Sequence, residues 1–296
     1  MRYDIVVIAD LCVDILITAD VKPIYGQVEQ YVNNYQLEVG GSAIIFASQF
    51  SKLGGNIGLI GTVGDDVLGD FIKSRIKELK ITNSYILKLK EFKTSVGLGL
   101  SYHGDRAMLT YKGSMNAITP KMVLNSRILD KSKHIHIASY YLLEQLHSFW
   151  KDRLANFKQQ GYTVSLDTNW ALNNEWQAVE DVLGYIDVFI PNEGEALRIS
   201  KQKSIIEAGK WLRQFCGLVV IKLGAKGATV FVNNNVQHFE IPPQLSSSLE
   251  IADTTGAGDN FDAGFLYGWT RKMSIEQCVN LGLKCGTLSL SRMGGI

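Results

Sequence analysis

The chain has 296 residues, 46% of them hydrophobic, which is enough for a sizeable α/β core. Its 30 basic and 29 acidic side chains nearly cancel, which argues against a broad nucleic-acid surface or a polybasic membrane patch. The 4 cysteines, Cys12, Cys216, Cys278 and Cys285, form no CxxC pair, and no run reaches the roughly 20 apolar residues of a membrane span.

Scattered single thiols suit a reducing compartment. Asp4, Asp10 and Asp14 interrupt the first apolar run, so no signal peptide is expected and the cytoplasm is the expected location. Asp4 to Ala9 reads as a buried, β-branched first strand. Val13–Thr18 and Gln27–Val39 mix polar and apolar residues at strand spacing, so they read as a half-exposed sheet. A helix is expected from Ser42, with Ser42 as its N-cap and Gly54-Gly55 as its stop. A strand over 56–63 and a helix over 66–79 follow, then a hairpin around His103-Gly104-Asp105. From Lys133 onward strands and helices alternate: strand near 133–138, helix near 145–159, strand near 162–166, helix near 175–183, strand near 186–190. Two helices come next, then strands near 218–222 and 227–232 and helical segments over 257–271 and 275–291. Such alternation predicts a doubly wound, mostly parallel sheet with helices on both faces. The early polar strands do not fit inside it. They are expected to form a small projecting β-sheet lid, about residues 12–38 and 94–112, on one domain spanning 1–296.

The chemistry is concentrated in Ala252-Asp253-Thr254-Thr255-Gly256-Ala257-Gly258-Asp259. Small residues open an apolar helix, whose first N–H groups lack internal partners and carry the positive end of the dipole. Such a terminus binds an anion. Asp259 follows in the first turn, where a carboxylate can accept a proton from an attacking hydroxyl while the N–H groups of Gly256, Ala257, Gly258 and Asp259 stabilise charge on a phosphoryl group. The dipole is expected to help keep Asp259 ionised.

At these residues the chain resembles the ribokinase-like, or PfkB, carbohydrate kinase family. Asp253 to Asp259 is similar to the family's C-terminal signature and Gly40-Gly41-Ser42-Ala43 to its N-terminal one. Gly64-Asp65-Asp66, Asp167-Thr168-Asn169, Asn192 to Glu195, Gly224, Gly227 and Arg292-Met293-Gly294 match in family order over nearly the whole chain. The resemblance implies an ATP-dependent kinase that needs Mg²⁺, with K⁺ as a further activator in many members. It implies Asn192, Lys222, Gly224 and Gly227 near the nucleotide and Glu195 organising Mg²⁺, directly or through water. It places Asp253 beside a monovalent cation, and Asp14, Gly40, Gly41, Ser42, Ile45, Asn116 and Asn169 on the acceptor side.

Three departures stand out. Ile45 replaces an Asn common in sugar kinases of the family, Ala9 replaces a Gly, and Lys222 stands where Thr or Ser is usual. Lys222 could touch phosphate or point to solvent, Asp10 has no assigned role, and His134 and His136 alternate along a strand, at least one of them as a core residue. No GxxxxGK[ST] run is present, so a Walker-type loop is excluded. The acceptor is expected to be a sugar or a related small molecule. The alternatives are a nucleoside or sugar acid, and a non-catalytic ligand-binding or regulatory protein; the cations of the Arg106–Lys112 strand could meet an acidic or phosphorylated acceptor. The apolar lid suggests a homodimer. The ending Gly294-Gly295-Ile296 leaves room for a further C-terminal piece.

Overall fold

A computed structural model describes residues 2–81, 85–102, 105–171, 174–246, 250–292 and 294–296; the side chains of Asp105, Arg106 and Ser246 lie outside that description. His103, Gly104 and Met293 also fall outside it, and with them the expected hairpin turn and part of the last signature.

The strands are β1 (Ile5–Ile8), β2 (Cys12–Thr18), β3 (Asn34–Gly40), β4 (Ile57–Gly64), β5 (Tyr85–Leu89), β6 (Val96–Tyr102) and β7 (Asp105–Tyr111), then β8 (His134–Ile137), β9 (Thr163–Leu166), β10 (Val188–Phe189), β11 (Leu218–Lys222), β12 (Ala228–Val232) and β13 (Asn235–Phe239). The helices are α1 (Ser42–Lys52), α2 (Val67–Glu78), α3 (Pro120–Ser126), α4 (His147–Gln159), α5 (Glu180–Leu183), α6 (Glu193–Ser200), α7 (Ile205–Leu212), α8 (Pro243–Ser246), α9 (Ala257–Thr270) and α10 (Ile275–Ser289).

Among the described residues one sheet has nine strands in the order β13-β12-β11-β10-β9-β8-β1-β4-β5. It is parallel from β11 to β5 and antiparallel across β11-β12-β13. Continuous apolar strands are what a sheet covered on both faces requires. In β1 the side chains alternate: Val6 and Ile8 join the core under α4, while Ile5 and Val7 join the core under α1, α9 and α10. The order turns at β1, between β8 and β4, and a ligand crevice is expected at the carboxyl ends of the strands there.

A second sheet, in the order β3-β2-β6-β7, carries the half-exposed strands. Strand β3 is shorter than the segment expected over Gln27–Val39. Residues 27–33 are not strand, because Gly26 and Gln27 both take positive φ and Asn33 bonds reciprocally to Asp20. Those contacts close 20–33 into a loop before β3 begins. The segment expected as a helix over 175–183 is a 3₁₀ turn, Trp176–Val179, followed by the single turn α5. Strands β5 and β13 extend the sheet beyond the strands the sequence pattern predicts. The turn into β13 is visible in retrospect as Asn233-Asn234, with Asn233 at φ +52°.

The start of α1 also differs. The helix begins at Ser42, but its N-cap is Gly41, at φ +104°. The amides of Ser42 and Ala43 donate to the two oxygens of Asp10, each at 3.0 Å. A Cβ on Gly41 would sit 2.2 Å from the Asp10 carbonyl, so only glycine lets the turn approach β1 this closely.

Candidate active site

The carboxyl ends of β9, β10 and β11 and the first turns of α1, α6 and α9 surround a cavity of about 410 Å³. Ser42, Asn169, Asn192, Glu195, Lys222, Gly224, Gly256, Ala257, Gly258 and Asp259 line it, together with Asp167 and Thr254. These residues are separated by more than two hundred positions in the chain, and the parallel topology gathers them on one sheet edge.

The glycine-rich turn forms the floor. Gly256 takes φ +69° as the N-cap of α9, and a Cβ there would meet Ile45 Cγ2 at 2.8 Å. The amides of Gly258 and Asp259 have no backbone acceptor among the described residues. They are the unfilled donors of a helix terminus, facing a cavity. Asn260 Nδ2 bonds the carbonyls of Gly256 and Gly295, both at 2.8 Å, and so fixes the turn from behind.

Asp259 sits on the wall with part of its surface open to the cavity. Its carboxyl is pushed up to about 8, by burial first and then by the charge of Asp167, against the pull of Lys222 and a bond from Ser42. The expectation that the dipole keeps Asp259 ionised is therefore reversed, because burial and neighbouring carboxylates outweigh the helix end. Ser42 Oγ also accepts from Asn169 Nδ2 at 2.7 Å, and Asn169 Oδ1 is buried with no hydrogen-bond partner among the described residues.

Glu195 and Asn192 form a capping box at α6. Each backbone amide donates to the other side chain at 3.0 Å, and Asn192 Nδ2 donates to Glu195 Oε1 at 2.6 Å. Both oxygens of Glu195 are thus engaged, and burial followed by Asp167 pushes its carboxyl up to about 8.

Lys222 neither points to solvent nor projects freely into the cavity. Its Nζ lies 2.7 Å from Asp167 and 3.1 Å from both oxygens of Asp262. Burial alone would release its proton, but the two carboxylates outweigh that and hold it charged. Burial likewise opposes the charge on Asp167, yet Lys222 keeps Asp167 below the usual carboxylate range. Burial raises Asp262.

The remaining expected residues lie outside the cavity wall. Asp14 is buried on β2, where its carboxylate fills the space that side chains on Gly40 and Gly97 would occupy, and it accepts from Cys12 Sγ at 3.3 Å. Ile45, expected to face the acceptor, is buried beneath Gly256, because its place on α1 turns it toward α9. Asn116 is exposed in a 3₁₀ turn, Gly113–Ala117. Gly227, at φ +87°, packs on the Phe239 carbonyl of β13. Asp253 accepts from the Thr255 amide and hydroxyl and from the Gly294 amide, tying the turn to the residues after α10. His134 and His136 share the hydroxyl of Ser165, and burial lowers both to about 3, so both are neutral core residues.

Three functional candidates carried no assigned role in the sequence reading. Asp167 ends a buried strand at the ligand edge, Asp262 lies three residues past Asp259 on one helix face, and Asp10 caps α1 from β1. Asp262 had a visible signal, a carboxylate inside an apolar helix.

The description pfkB family carbohydrate kinase matches residues 3–296. The chain belongs to the pfkB family. It is a carbohydrate kinase, a phosphotransferase with an alcohol group as acceptor. Among curated relatives, the cytidine kinase of Thermococcus kodakarensis is 28% identical over 98% of this chain and 97% of that protein. Among solved structures, adenosine kinase from Sinorhizobium meliloti superposes with a TM-score of 0.86 at 22% identity, over 100% of this chain and 96% of that one. Arabidopsis thaliana ribokinase complexed with ribose and ATP superposes with a TM-score of 0.82 at 20% identity, over 99% and 94%. These two structural likenesses establish the fold. Among the described residues no helix is long and apolar enough to cross a membrane.

Proposed function

We propose that this pfkB kinase transfers the γ-phosphoryl group of ATP to a hydroxyl of a sugar or sugar-like acceptor, with Asp259 as general base and the amides of 256–259 as anion hole. The observation that carries this reading is the pairing of open α9 amides with Asp259 on one cavity wall. A carboxyl near 8 holds a useful fraction of base at neutral pH and binds the abstracted proton firmly. The acceptor O–H gives its proton to Asp259, its oxygen attacks the γ-phosphorus, the bond from that phosphorus to the oxygen bridging the β-phosphate breaks so that ADP leaves, and the growing charge on the phosphoryl oxygens meets preorganised N–H groups. The unpaired Asn169 Oδ1 and the Ser42 hydroxyl suit acceptor hydroxyls, as does Asp14 beside the second sheet. Asn192 and Gly224 suit the nucleotide side.

Mg²⁺ fits here through water. Both Glu195 oxygens already accept from Asn192, and among the described residues no group of three or more metal-binding side chains converges. When bound, Mg²⁺ neutralises phosphate charge, and Glu195 would hold its hydration shell. A monovalent cation such as K⁺ would act at the Asp253 turn, which hydrogen bonds already hold together. The second sheet would close over the acceptor as a lid and exclude water. Its exposed Tyr35, Leu37, Leu109 and Tyr111 suit a lid-to-lid homodimer in the cytoplasm.

A nucleoside acceptor is the second reading, favoured by the cytidine kinase relative. A sugar acid is less well served, because Lys112 is engaged with Glu144 at 3.2 Å. The test is ATP consumption across sugars, sugar acids and nucleosides. ADP release above background with one acceptor class is expected, and a folded protein that consumes no ATP with any of them would refute the proposal.

A further inference from the structure

We propose that Lys222 is a positioning residue for phosphoryl transfer, which ties Asp167 and Asp262 beneath the amide-lined floor and fixes a positive charge against Gly258. The inference rests on the proposed function, since it assigns Lys222 a part in that same site.

Three elements meet at one ammonium. Lys222 ends β11, Asp167 follows β9, and Asp262 lies in the second turn of α9. The side chains are 12%, 8% and 1% exposed, so little water screens the group. An ammonium has three protons, and Asp167 at 2.7 Å with Asp262 at 3.1 Å engage most of that capacity. Nζ is thus held from two sides. It also lies 3.2 Å from where a Cβ on Gly258 would stand, so it flanks the residue whose amide opens the cavity floor. The backbone adds a link to the residues after β10: the Lys222 amide donates to the Pro191 carbonyl at 2.9 Å, and Lys222 pairs with Asn192 of the α6 capping box.

This arrangement differs from a lysine that grips ATP as a mobile point charge. A charge held by two carboxylates cannot follow the ground-state nucleotide. It adds fixed potential at the donors where phosphoryl charge grows, and such donors act on the transition state. Its loss should therefore lower kcat more than it weakens ATP.

Steady-state kinetics of Lys222→Met in the full chain test this, with the acceptor found by the ATP-consumption panel. Removing the ammonium takes the cation from between two buried acidic side chains, so Lys222→Met combined with Asp262→Asn provides a second variant with one acidic group fewer. We expect a fall in kcat of roughly 10–100-fold with the ATP KM within about threefold in the folded double variant. Thermal melts on the same samples report folding. Wild-type kcat in either variant overturns the proposal. An ATP KM that rises in proportion, with kcat retained, makes Lys222 a ground-state nucleotide ligand and also overturns it. Asp259→Asn separates the two levels: if that variant keeps full activity, the proposed function fails. If it is inactive while Lys222→Met is unaffected, only the present inference fails.

Discussion

Two helices of this kinase open on glycine, and they are finished in opposite ways. At α1, Gly41 turns the chain and Asp10 takes the amides of Ser42 and Ala43. At α9, Gly256 turns the chain and the amides of Gly258 and Asp259 are left facing a cavity. Both starts need glycine for the same steric reason, a positive φ against a close neighbour. They differ in who supplies the acceptor. A buried carboxylate closes the first and makes it a structural joint. The second leaves its donors open on a cavity, and its own carboxylate follows one turn on.

The sharpest way to break this comparison is at the open end. Asp259→Asn keeps the size and the amides but removes the proposed base, so kcat should fall by roughly 10²–10⁴-fold with the ATP KM little changed. A folded variant with near wild-type kcat would end the mechanism. Gly256→Ala acts on the donors themselves. Its Cβ would meet Ile45 at 2.8 Å in a backbone conformation that alanine resists. We expect kcat/KM to fall at least about tenfold, with part returned by Ile45→Ala in the same chain, since the partner that crowds the turn is then removed. No recovery in the double variant would mean that φ strain alone is responsible.

At the closed end, Asp10→Ala should act on stability first. The buried amide of Ala43 and the part-buried amide of Ser42 lose their acceptor, at a cost of about 1–3 kcal/mol for the buried one, and the melting temperature should drop by several degrees. An unchanged melt would show that water replaces Asp10 without loss.

The raised carboxyl of Asp259 gives a smaller effect with a definite sign. Its folded value, about 8, lies above the ordinary 3.8, so the folded state holds this proton more tightly than the unfolded chain does. The contribution of Asp259 to stability is fully present below about 4 and is lost as pH rises toward 8. Replacing it with Asn should therefore raise the melting temperature, relative to wild type, more at pH 8 than at pH 5. An equal difference at both values would contradict the raised carboxyl. The smallest effect should come from withdrawing K⁺. Because Thr255 and Gly294 already brace Asp253, we expect less than about a tenfold loss of kcat on exchange into a Na⁺-free, K⁺-free buffer.

Much of this was legible from local signals. The buried first strand, the α/β alternation and the open glycine turn before Asp259 depend on spacing of apolar and small residues. Spacing survives whatever the rest of the chain does, because each such pattern is read within one element. The failures share a different cause. Ser42 has the right chemistry for an N-cap, yet Asp10 does that work from 32 residues away. Residues 27–33 have strand-like composition, yet the Asp20–Asn33 pair folds them into a loop.

The sequence by itself determined which residues could do phosphoryl chemistry and in which local setting: a helix start rich in glycine, a carboxylate in its first turn, and an Asn-Glu pair at another helix start. Tertiary structure alone decided their charges and partners. Lys222 became a buried tie because β9 and α9 bring Asp167 and Asp262 to it, and Ile45 became the support under Gly256 because α1 packs on α9. Asp259 was raised rather than kept ionised because burial and Asp167 act through space. Coulomb and desolvation energies depend on distances across the fold, and those distances are set by topology rather than by neighbours in the chain.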